Sequence, residues 1–135
     1  MIASNDLTDL RVLVVEDEML VSLLIEEVLT DSKCIIVGPY DRVPAALEAA
    51  RTLALDAAVL DVNLAGTKVY PVAEMLSSRG IPFLLLSGYG SGAAPIEHPS
   101  WPVCSKPFKV EELTAMLAKQ IAARHQLTLP SESQS

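Results

Sequence analysis

The sequence contains few basic residues, and this shortage narrows the classes of partner. Ten Lys and Arg residues stand against 17 Asp and Glu residues, so the formal net charge is −7 and the isoelectric point is about 4.7. A chain with this charge repels phosphate backbones and anionic lipid headgroups. Nucleic acid and membrane surfaces are therefore not expected as partners.

Long hydrophobic runs are missing as well. Charged residues, glycines and prolines interrupt every apolar stretch before it reaches the roughly 18 residues that a membrane span requires. The N-terminus also lacks the basic segment and apolar run that mark a secretory signal. These absences predict a soluble protein located in the cytoplasm.

Cysteine is scarce too. Cys34 and Cys104 lie in separate apolar stretches, and their spacing fits neither a zinc site nor a CxxC redox motif. Buried, reduced thiols are the simpler interpretation. The 135 residues, half of them hydrophobic, have the size of one domain and a composition that excludes global disorder.

Five short hydrophobic runs are present, and each predicts a buried strand. They cover residues 11–15, 34–37, 57–60, 82–86 and 102–104. The runs are too short for helices, and their nearly continuous Val, Ile and Leu content is typical of parallel strands covered on both faces.

Segments with helical periodicity separate these runs. They cover residues 19–29, 43–53, 69–78 and 109–125. Between the last two strands, residues 88–99 contain three glycines and two prolines, so only a short or mobile helix is expected there. The alternation predicts a doubly wound α/β fold with a five-stranded parallel sheet.

Polar residues follow four of the five predicted strands. Glu16 and Asp17 follow the first strand, Asp61 the third, Ser87 the fourth and Lys106 the fifth. Ligands of open parallel sheets bind beyond the carboxyl ends of the strands, so these side chains are expected to converge. Taken alone, the acidic residues after the first strand would serve equally well as a helix cap.

The converging residues predict phosphoryl chemistry. Two carboxylates 4 Å apart repel by about 4 kcal/mol at an effective dielectric of 20, so Glu16, Asp17 and Asp61 need a cation. Mg²⁺ suits such oxygen ligands and a phosphate. Asp61 is the best nucleophile of the set, and Lys106 and Ser87 can contact phosphoryl oxygens.

Four motifs at these strand ends resemble the receiver domains of two-component response regulators. The motifs are Val12-Leu13-Val14-Val15-Glu16-Asp17-Glu18, Leu60-Asp61-Val62-Asn63-Leu64-Ala65-Gly66, Leu86-Ser87-Gly88-Tyr89 and Ser105-Lys106-Pro107-Phe108. Their occurrence in this order is more specific than any one of them. The resemblance covers residues 10–125, which places an N-terminal lead at 1–9 and a polar tail at 126–135. It implies a flavodoxin-like (βα)5 receiver fold with strand order 2-1-3-4-5.

The resemblance also implies a role for each site residue. Asp61 would accept a phosphoryl group from a phosphohistidine, with Lys106 and Ser87 in contact with the phosphoryl oxygens. Mg²⁺ would be bound by Asp61, by Asp17 directly, by Glu16 through water and by the backbone carbonyl of Asn63. The domain would catalyse only its own phosphorylation and dephosphorylation.

The implied function is a signalling switch in a phosphorelay. The phosphoryl donor would be a sensor histidine kinase or a histidine phosphotransfer protein. Phosphorylation would change the face formed by the fourth strand, the following helix and the fifth strand, and so alter binding of a downstream protein. The protein would act as a monomer or as a phosphorylation-linked homodimer.

Two positions depart from the common receiver pattern. Val103 stands where receivers often have an aromatic switch residue, three positions before Lys106. An aromatic occurs instead at Tyr89, two residues after Ser87, and this stretch resembles a receiver subgroup with a Phe-Ala-Thr-Gly-Tyr type motif. We hypothesise that Tyr89 and the glycine-rich loop change order when Asp61 is phosphorylated.

Three other functions remain open on sequence grounds. Asp61-Val62-Asn63 also resembles part of a small phosphatase with an Asp nucleophile, although a cap or recognition insert is lacking. A flavodoxin-like nucleotide binder would need small residues rather than acids after the first strand. A phosphorylation-independent adaptor would retain the fold with an unused site.

Overall fold

The computed structural model describes residues 7–88 and 94–128, and of residues 125–128 it describes the backbone alone. Five parallel strands form its central sheet. They are β1 (Arg11–Val15), β2 (Ile35–Tyr40), β3 (Ala57–Asp61), β6 (Phe83–Ser87) and β7 (Val103–Ser105). Strands β4 (Asn63–Leu64) and β5 (Thr67–Lys68) form a separate hairpin. The order β2-β1-β3-β6-β7 confirms the predicted 2-1-3-4-5 when the parallel strands alone are counted.

Four helices cover the two faces of the sheet in the part of the chain that the structure describes. They are α1 (Met19–Asp31), α2 (Val43–Thr52), α3 (Tyr70–Ser78) and α4 (Val110–Thr128). Prolines lie in the first turns of α2 and α3, where a missing N–H leaves no hydrogen bond unmade. No helix among the described residues combines the length and apolarity that crossing a membrane requires.

The sheet is buried on both faces, which explains its continuous hydrophobic runs. Leu13 and Val15 of β1 pack with α2 and α3 on one side. Val12 and Val14 of the same strand pack with α1 and α4 on the other. Alternate side chains of a strand point to opposite faces, so both sets must be apolar.

At both ends of the domain, ordered structure extends beyond the predicted limits at residues 10 and 125. Leu7, which lies in the predicted N-terminal lead, is buried in the core beside α1 and α4. At the other end, α4 continues to Thr128, three residues past the predicted end of the domain at residue 125. The domain boundary itself stays a prediction.

The connection between β6 and β7 contains turns in place of a helix over its described residues, 94–102. Pro95, Pro99 and Pro102 account for this, because proline lacks the N–H that continues a helix. Trp101 anchors the segment by an edge-to-face contact with Phe83, with ring centroids 5.1 Å apart. The first part of the predicted short helix, residues 89–93, lies outside the described residues.

A small antiparallel hairpin follows β3 and was not predicted. Its strands are β4 (Asn63–Leu64) and β5 (Thr67–Lys68). Leu64 is buried and fixes the hairpin to the core, while its turn at Ala65 and Gly66 is exposed. The hairpin forms a wall beside the carboxyl end of β3.

Candidate functional site

The register of the sheet brings the predicted site residues to one edge. Val15 of β1 pairs with Leu60 of β3, so Glu16 and Asp61 occupy the next positions at the same level. A cleft of about 420 Å³ opens at this edge. Its lining includes Asp17, Asp61, Asn63, Ala65, Gly66 and Lys106.

The ammonium group of Lys106 lies among three carboxylates. Its Nζ is 3.2 Å from Asp61 Oδ1, 3.3 Å from Glu16 Oε1 and 3.7 Å from Glu18 Oε1. The Glu16 and Asp61 side chains are almost completely buried, whereas that of Glu18 is exposed. One cation therefore faces an excess of negative charge inside the cleft.

Glu16 is the most deeply buried of these acids. Its Oε2 accepts a hydrogen bond of 3.1 Å from the Glu18 N–H. Glu18 is the N-cap residue of α1, and no side-chain cap hydrogen bond forms there, so the capping role that the sequence also allowed is not observed. Its Oε1 accepts no hydrogen bond despite the Lys106 ammonium at 3.3 Å. Burial, reinforced by the charge of Asp61, raises the pKa of Glu16 from 4.5 to about 7.

The acceptor candidate and its lysine also titrate away from their ordinary values. Burial raises the pKa of Asp61, and contacts with Glu16 and Lys106 offset only part of that effect. Burial lowers the pKa of Lys106, but the Asp61 and Glu16 carboxylates outweigh it and the net shift is upward. Lys106 therefore remains a cation. The ionised forms of Asp61 and Glu16 are disfavoured, because burial removes their carboxylates from water.

Three acidic side chains are arranged to hold a metal ion. Oxygen atoms of Glu16, Asp17 and Asp61 all lie within 4.8 Å of one another. The buried Glu16 Oε1 without a hydrogen bond is an acceptor that a hydrated cation would satisfy. A set of carboxylates in an open, polar cleft fits Mg²⁺, which keeps several of its waters.

The remaining predicted residues take different positions. Ser87 ends β6, is buried, and its backbone carbonyl accepts a hydrogen bond of 2.8 Å from the Lys106 N–H. Asn63 is exposed and lines the cleft. Val103 is half-buried and packs against the core beneath the sheet, while Tyr89 lies outside the described residues.

Two contacts of the site were missed by the sequence interpretation. Glu18 reaches Lys106 from the end of the acidic run, and Asp17 Oδ2 accepts a hydrogen bond of 2.9 Å from the Ala65 N–H. The sequence shows that Asp17 and Glu18 are acidic neighbours of Glu16. It does not indicate that Glu18 contacts Lys106 or that Asp17 binds the Ala65 N–H. Both contacts join segments that are distant along the chain.

Comparison with known proteins identifies the family. The model of the response regulator receiver domain matches residues 12–118. The solution structure of SdrG from Sphingomonas melonis Fr1 is 36% identical, with a TM-score of 0.71, covering 92% of this chain and 99% of that one. A search of curated proteins found no match.

More distant structures share the fold. The response regulator PhyR from Brucella abortus is 19% identical with a TM-score of 0.81, and the match covers 98% of this chain but only 56% of the PhyR chain. The receiver domain of the sensor histidine kinase PA1611 from Pseudomonas aeruginosa PAO1, solved with magnesium in its active site cleft, is 21% identical, has a TM-score of 0.73 and covers 85% of this chain and 99% of its own. The family match spans most of the sequence, and the cleft gathers acids and a lysine at the carboxyl edge of the sheet, so the chain belongs to the response regulator receiver domain family and is a phosphoryl-accepting signalling switch.

Proposed function

We propose that Asp61 accepts the phosphoryl group. The observation that carries this assignment is the position of its carboxylate, with Lys106 Nζ 3.2 Å from Oδ1 and oxygens of Glu16 and Asp17 within 4.8 Å. The cleft gives an incoming phosphoryl group access to Asp61. Of the two buried carboxylates in contact with Lys106, Asp61 lines this cleft, whereas Glu16 is not among its lining residues.

The proposed reaction is a transfer from nitrogen to oxygen. A carboxylate oxygen of Asp61 attacks the phosphorus of a phosphohistidine, an O–P bond forms, and the P–N bond breaks. The electron pair of that bond stays on the imidazole, and Asp61 becomes an acyl phosphate. Lys106 then contacts one phosphoryl oxygen. The Ser87 hydroxyl, at the end of the neighbouring strand, donates a hydrogen bond to another phosphoryl oxygen.

We assign the cation site to Asp17 and Asp61 as direct ligands, the Asn63 carbonyl as a further ligand and Glu16 through water. Bound Mg²⁺ would neutralise charge that builds up between the carboxylate and the phosphoryl group. The magnesium in the cleft of the PA1611 receiver domain supports this assignment by analogy of fold. The chain has no further catalytic role in this proposal than its own phosphorylation and dephosphorylation.

The phosphoryl donor is proposed to be a histidine kinase or a histidine phosphotransfer protein that docks on α1. Four exposed apolar side chains, here called the α1 surface, follow the acidic loop directly: Met19, Leu20, Leu23 and Leu24. They are four of the seven large hydrophobic side chains that are exposed among the described residues. A partner that delivers a phosphohistidine to Asp61 must cover this rim of the cleft.

The flanks of the α1 surface define the chemistry of that partner. An apolar groove of about 300 Å³ runs from Val21 and Leu24 to Pro107 and Phe108. On the other side of the α1 surface lies a second, separate pocket, whose acidic lining residues include Glu26. This pocket favours a basic side chain of the partner. The donor would thus present an apolar surface flanked by positive charge.

The output is proposed to be protein binding in the cytoplasm. Phosphorylation would alter the face of β6, the following connection and β7, with the chain acting as a monomer or a phosphorylation-linked homodimer. A PhyR from Bartonella quintana, which is 17% identical to this chain in a match that covers 52% of the PhyR chain, is described as an anti-anti-sigma factor, and this description supports a protein rather than DNA as the target. Tyr89, next to this face in sequence, is proposed to change order with it.

Intact-mass spectrometry tests the acceptor assignment. After incubation with acetyl phosphate and Mg²⁺, the chain should gain one phosphoryl group, and both Asp61→Asn and EDTA should abolish the gain. Beryllofluoride, a phosphoryl mimic, should shift the amide resonances at the strand ends of the wild type. No adduct and no beryllofluoride response would favour the adaptor, while turnover of p-nitrophenyl phosphate would favour the phosphatase.

A further inference from the structure

The turn between β4 and β5 has a backbone conformation that its sequence does not favour. The two strands pair over two residues each, which leaves Ala65 and Gly66 as a two-residue loop. Both have positive φ, 50° at Ala65 and 87° at Gly66, as a type I′ hairpin turn requires. Glycine adopts this conformation freely, but the Cβ of alanine disfavours it.

A contact from a distant loop holds this turn in place. The Ala65 N–H donates a hydrogen bond of 2.9 Å to Oδ2 of Asp17, which lies 48 residues earlier in the chain. A hydrogen bond to a carboxylate is stronger than one between neutral groups. The bond can therefore offset the unfavourable φ of Ala65.

The same carboxylate belongs to the acidic cluster of the cleft. Asp17 supplies one of the three oxygens that lie within 4.8 Å of one another, together with Glu16 and Asp61. A carboxylate has two oxygens, so Asp17 can hold the Ala65 amide with Oδ2 while its other oxygen remains for a cation. The amide fixes the orientation of that second oxygen.

We propose that the Ala65 N–H is a positioning group for the cation site, and that Mg²⁺ binding and the left-handed turn at Ala65 and Gly66 stabilise each other. This inference rests on the metal site of the proposed function. By thermodynamic linkage, a turn that orients Asp17 for Mg²⁺ is itself ordered by Mg²⁺ to the same extent. Because both turn residues line the cleft, cation binding would order the wall beside Asp61.

Amide hydrogen exchange, measured by NMR on the full chain, tests both halves of the proposal. In EDTA, Asp17→Ala should speed exchange of the Ala65 amide about fivefold through loss of the hydrogen bond. Glu18→Ala is the matched control, because Glu18 is an acidic neighbour in the same cleft whose side chain pairs with Lys106 rather than with the hairpin. It should leave the Ala65 rate unchanged.

The second half of the test adds Mg²⁺. Saturating Mg²⁺ should slow exchange at Ala65 about fivefold in the wild type and have no such effect in Asp17→Ala. Amides of β1 serve as an internal reference for global folding, and Asp17→Asn, which keeps an acceptor oxygen, should give an intermediate rate in EDTA.

Each failure has a distinct meaning. Equal Ala65 rates in wild type and Asp17→Ala in EDTA would overturn the positioning role. An Ala65 rate that Mg²⁺ does not change in the wild type, although calorimetry shows binding, would overturn the coupling. Absence of Mg²⁺ binding would overturn the coupling and the metal site together, whereas a missing Asp61 adduct alongside the expected exchange pattern would overturn the acceptor assignment alone.

Discussion

At the residue scale, Glu16 combines burial with a negative charge that its surroundings do not fully compensate. One carboxylate oxygen accepts the Glu18 N–H, and the other has only the Lys106 ammonium at 3.3 Å, without hydrogen-bond geometry. The raised pKa of about 7 expresses this cost. In the absence of a bound cation, the buried charge of Glu16 therefore lowers the free energy of unfolding.

The cost predicts a pH-dependent effect of Glu16→Gln. The pKa of Glu16 is raised by folding, so in the wild type its contribution to stability falls as pH rises from about 4.5 to about 7 and then levels off. Glutamine has no such titration. Denaturant unfolding in EDTA should show the variant more stable at pH 8, by on the order of 1–3 kcal/mol, and the gain should shrink toward pH 5.

Glu27→Gln provides the control for this measurement, because Glu27 is an exposed acid of α1. It should not show a gain that changes with pH. A Glu16→Gln gain that is constant between pH 5 and pH 8 would contradict the assigned cause, since burial of a charge must titrate.

The site residues differ in how far the sequence could predict them. Asp61 and Lys106 were predictable because Asp61 directly follows one hydrophobic run and Lys106 lies two positions after another, and the carboxyl ends of parallel strands share one edge. The contact between Asp17 and Ala65 was not, because it depends on the φ of a turn that no local pattern marks. The roles assigned to the site residues stay proposals.

At the scale of elements, α1 contrasts a buried face with an exposed apolar one. Ile25, Val28 and Leu29 pack into the core, while Leu20 is 81% exposed. Folding alone does not require an exposed leucine at this position. The exposed face is therefore available for a partner, and its position beside the acidic loop is the reason that we propose it as the docking surface for the phosphoryl donor.

Leu20→Glu separates docking from chemistry. An added negative charge on the α1 surface should slow phosphotransfer from a phosphohistidine donor at least about tenfold, as expected for an interface residue worth about 1.4 kcal/mol or more. Phosphorylation by acetyl phosphate, which needs no docking, should keep its wild-type rate. Both rates can be followed by intact-mass spectrometry.

Ile35→Glu is the comparison variant for Leu20→Glu. Ile35 is also an exposed hydrophobic residue, but it begins β2 at the amino ends of the strands, opposite the cleft. It should leave both phosphorylation rates unchanged. Equal loss of donor phosphorylation in both variants would argue against docking on α1.

Strand β2 depends on one glycine. Gly38 has φ of 109°, and a Cβ there would lie 2.9 Å from the backbone oxygen of Val14 in the neighbouring strand. Gly38→Ala should lower the free energy of unfolding by about 2–4 kcal/mol, through strain and displacement of β2. Denaturant unfolding monitored by circular dichroism measures this loss.

Gly80→Ala isolates the steric part of that effect. Gly80 also has positive φ, 71°, but a Cβ there would meet no atom within 4 Å. The expected loss is about 1 kcal/mol, from backbone conformation alone. Similar losses at Gly38 and Gly80 would show that β2 adapts to the added methyl group.

The elements themselves were predicted within a few residues because both faces of the sheet are buried. Two features were beyond the sequence patterns. The hairpin strands are two residues long, too short for any periodicity. Residues 94–102 form turns where part of a short or mobile helix was expected, because prolines recur there, and proline signals interruption without specifying which turns result.

At the scale of the whole molecule, the core stabilises the folded domain, whereas the acidic cleft destabilises it. Two apolar layers hold the sheet, while its carboxyl edge collects acids around a single lysine. A bound cation should therefore stabilise the entire domain, since small domains unfold as one cooperative unit.

Thermal unfolding with Mg²⁺ measures that contribution. At a concentration 100-fold above Kd, one bound ion should add about 2.7 kcal/mol to the free energy of unfolding, and Asp17→Asn should lose most of the gain. NaCl at matched ionic strength is the control for screening. An equal rise in Tm with NaCl would contradict specific binding.

The contact between Trp101 and Phe83 has a consequence for observing the switch. Trp101 is the one tryptophan of the sequence, and the His98 ring stacks on it with centroids 4.0 Å apart and planes within 3°. The emission of an indole depends on the groups in contact with it, so a change in the contacts of Trp101 would change the fluorescence of the protein. The chain thus carries an intrinsic optical reporter, without any label, between the last two strands of its sheet.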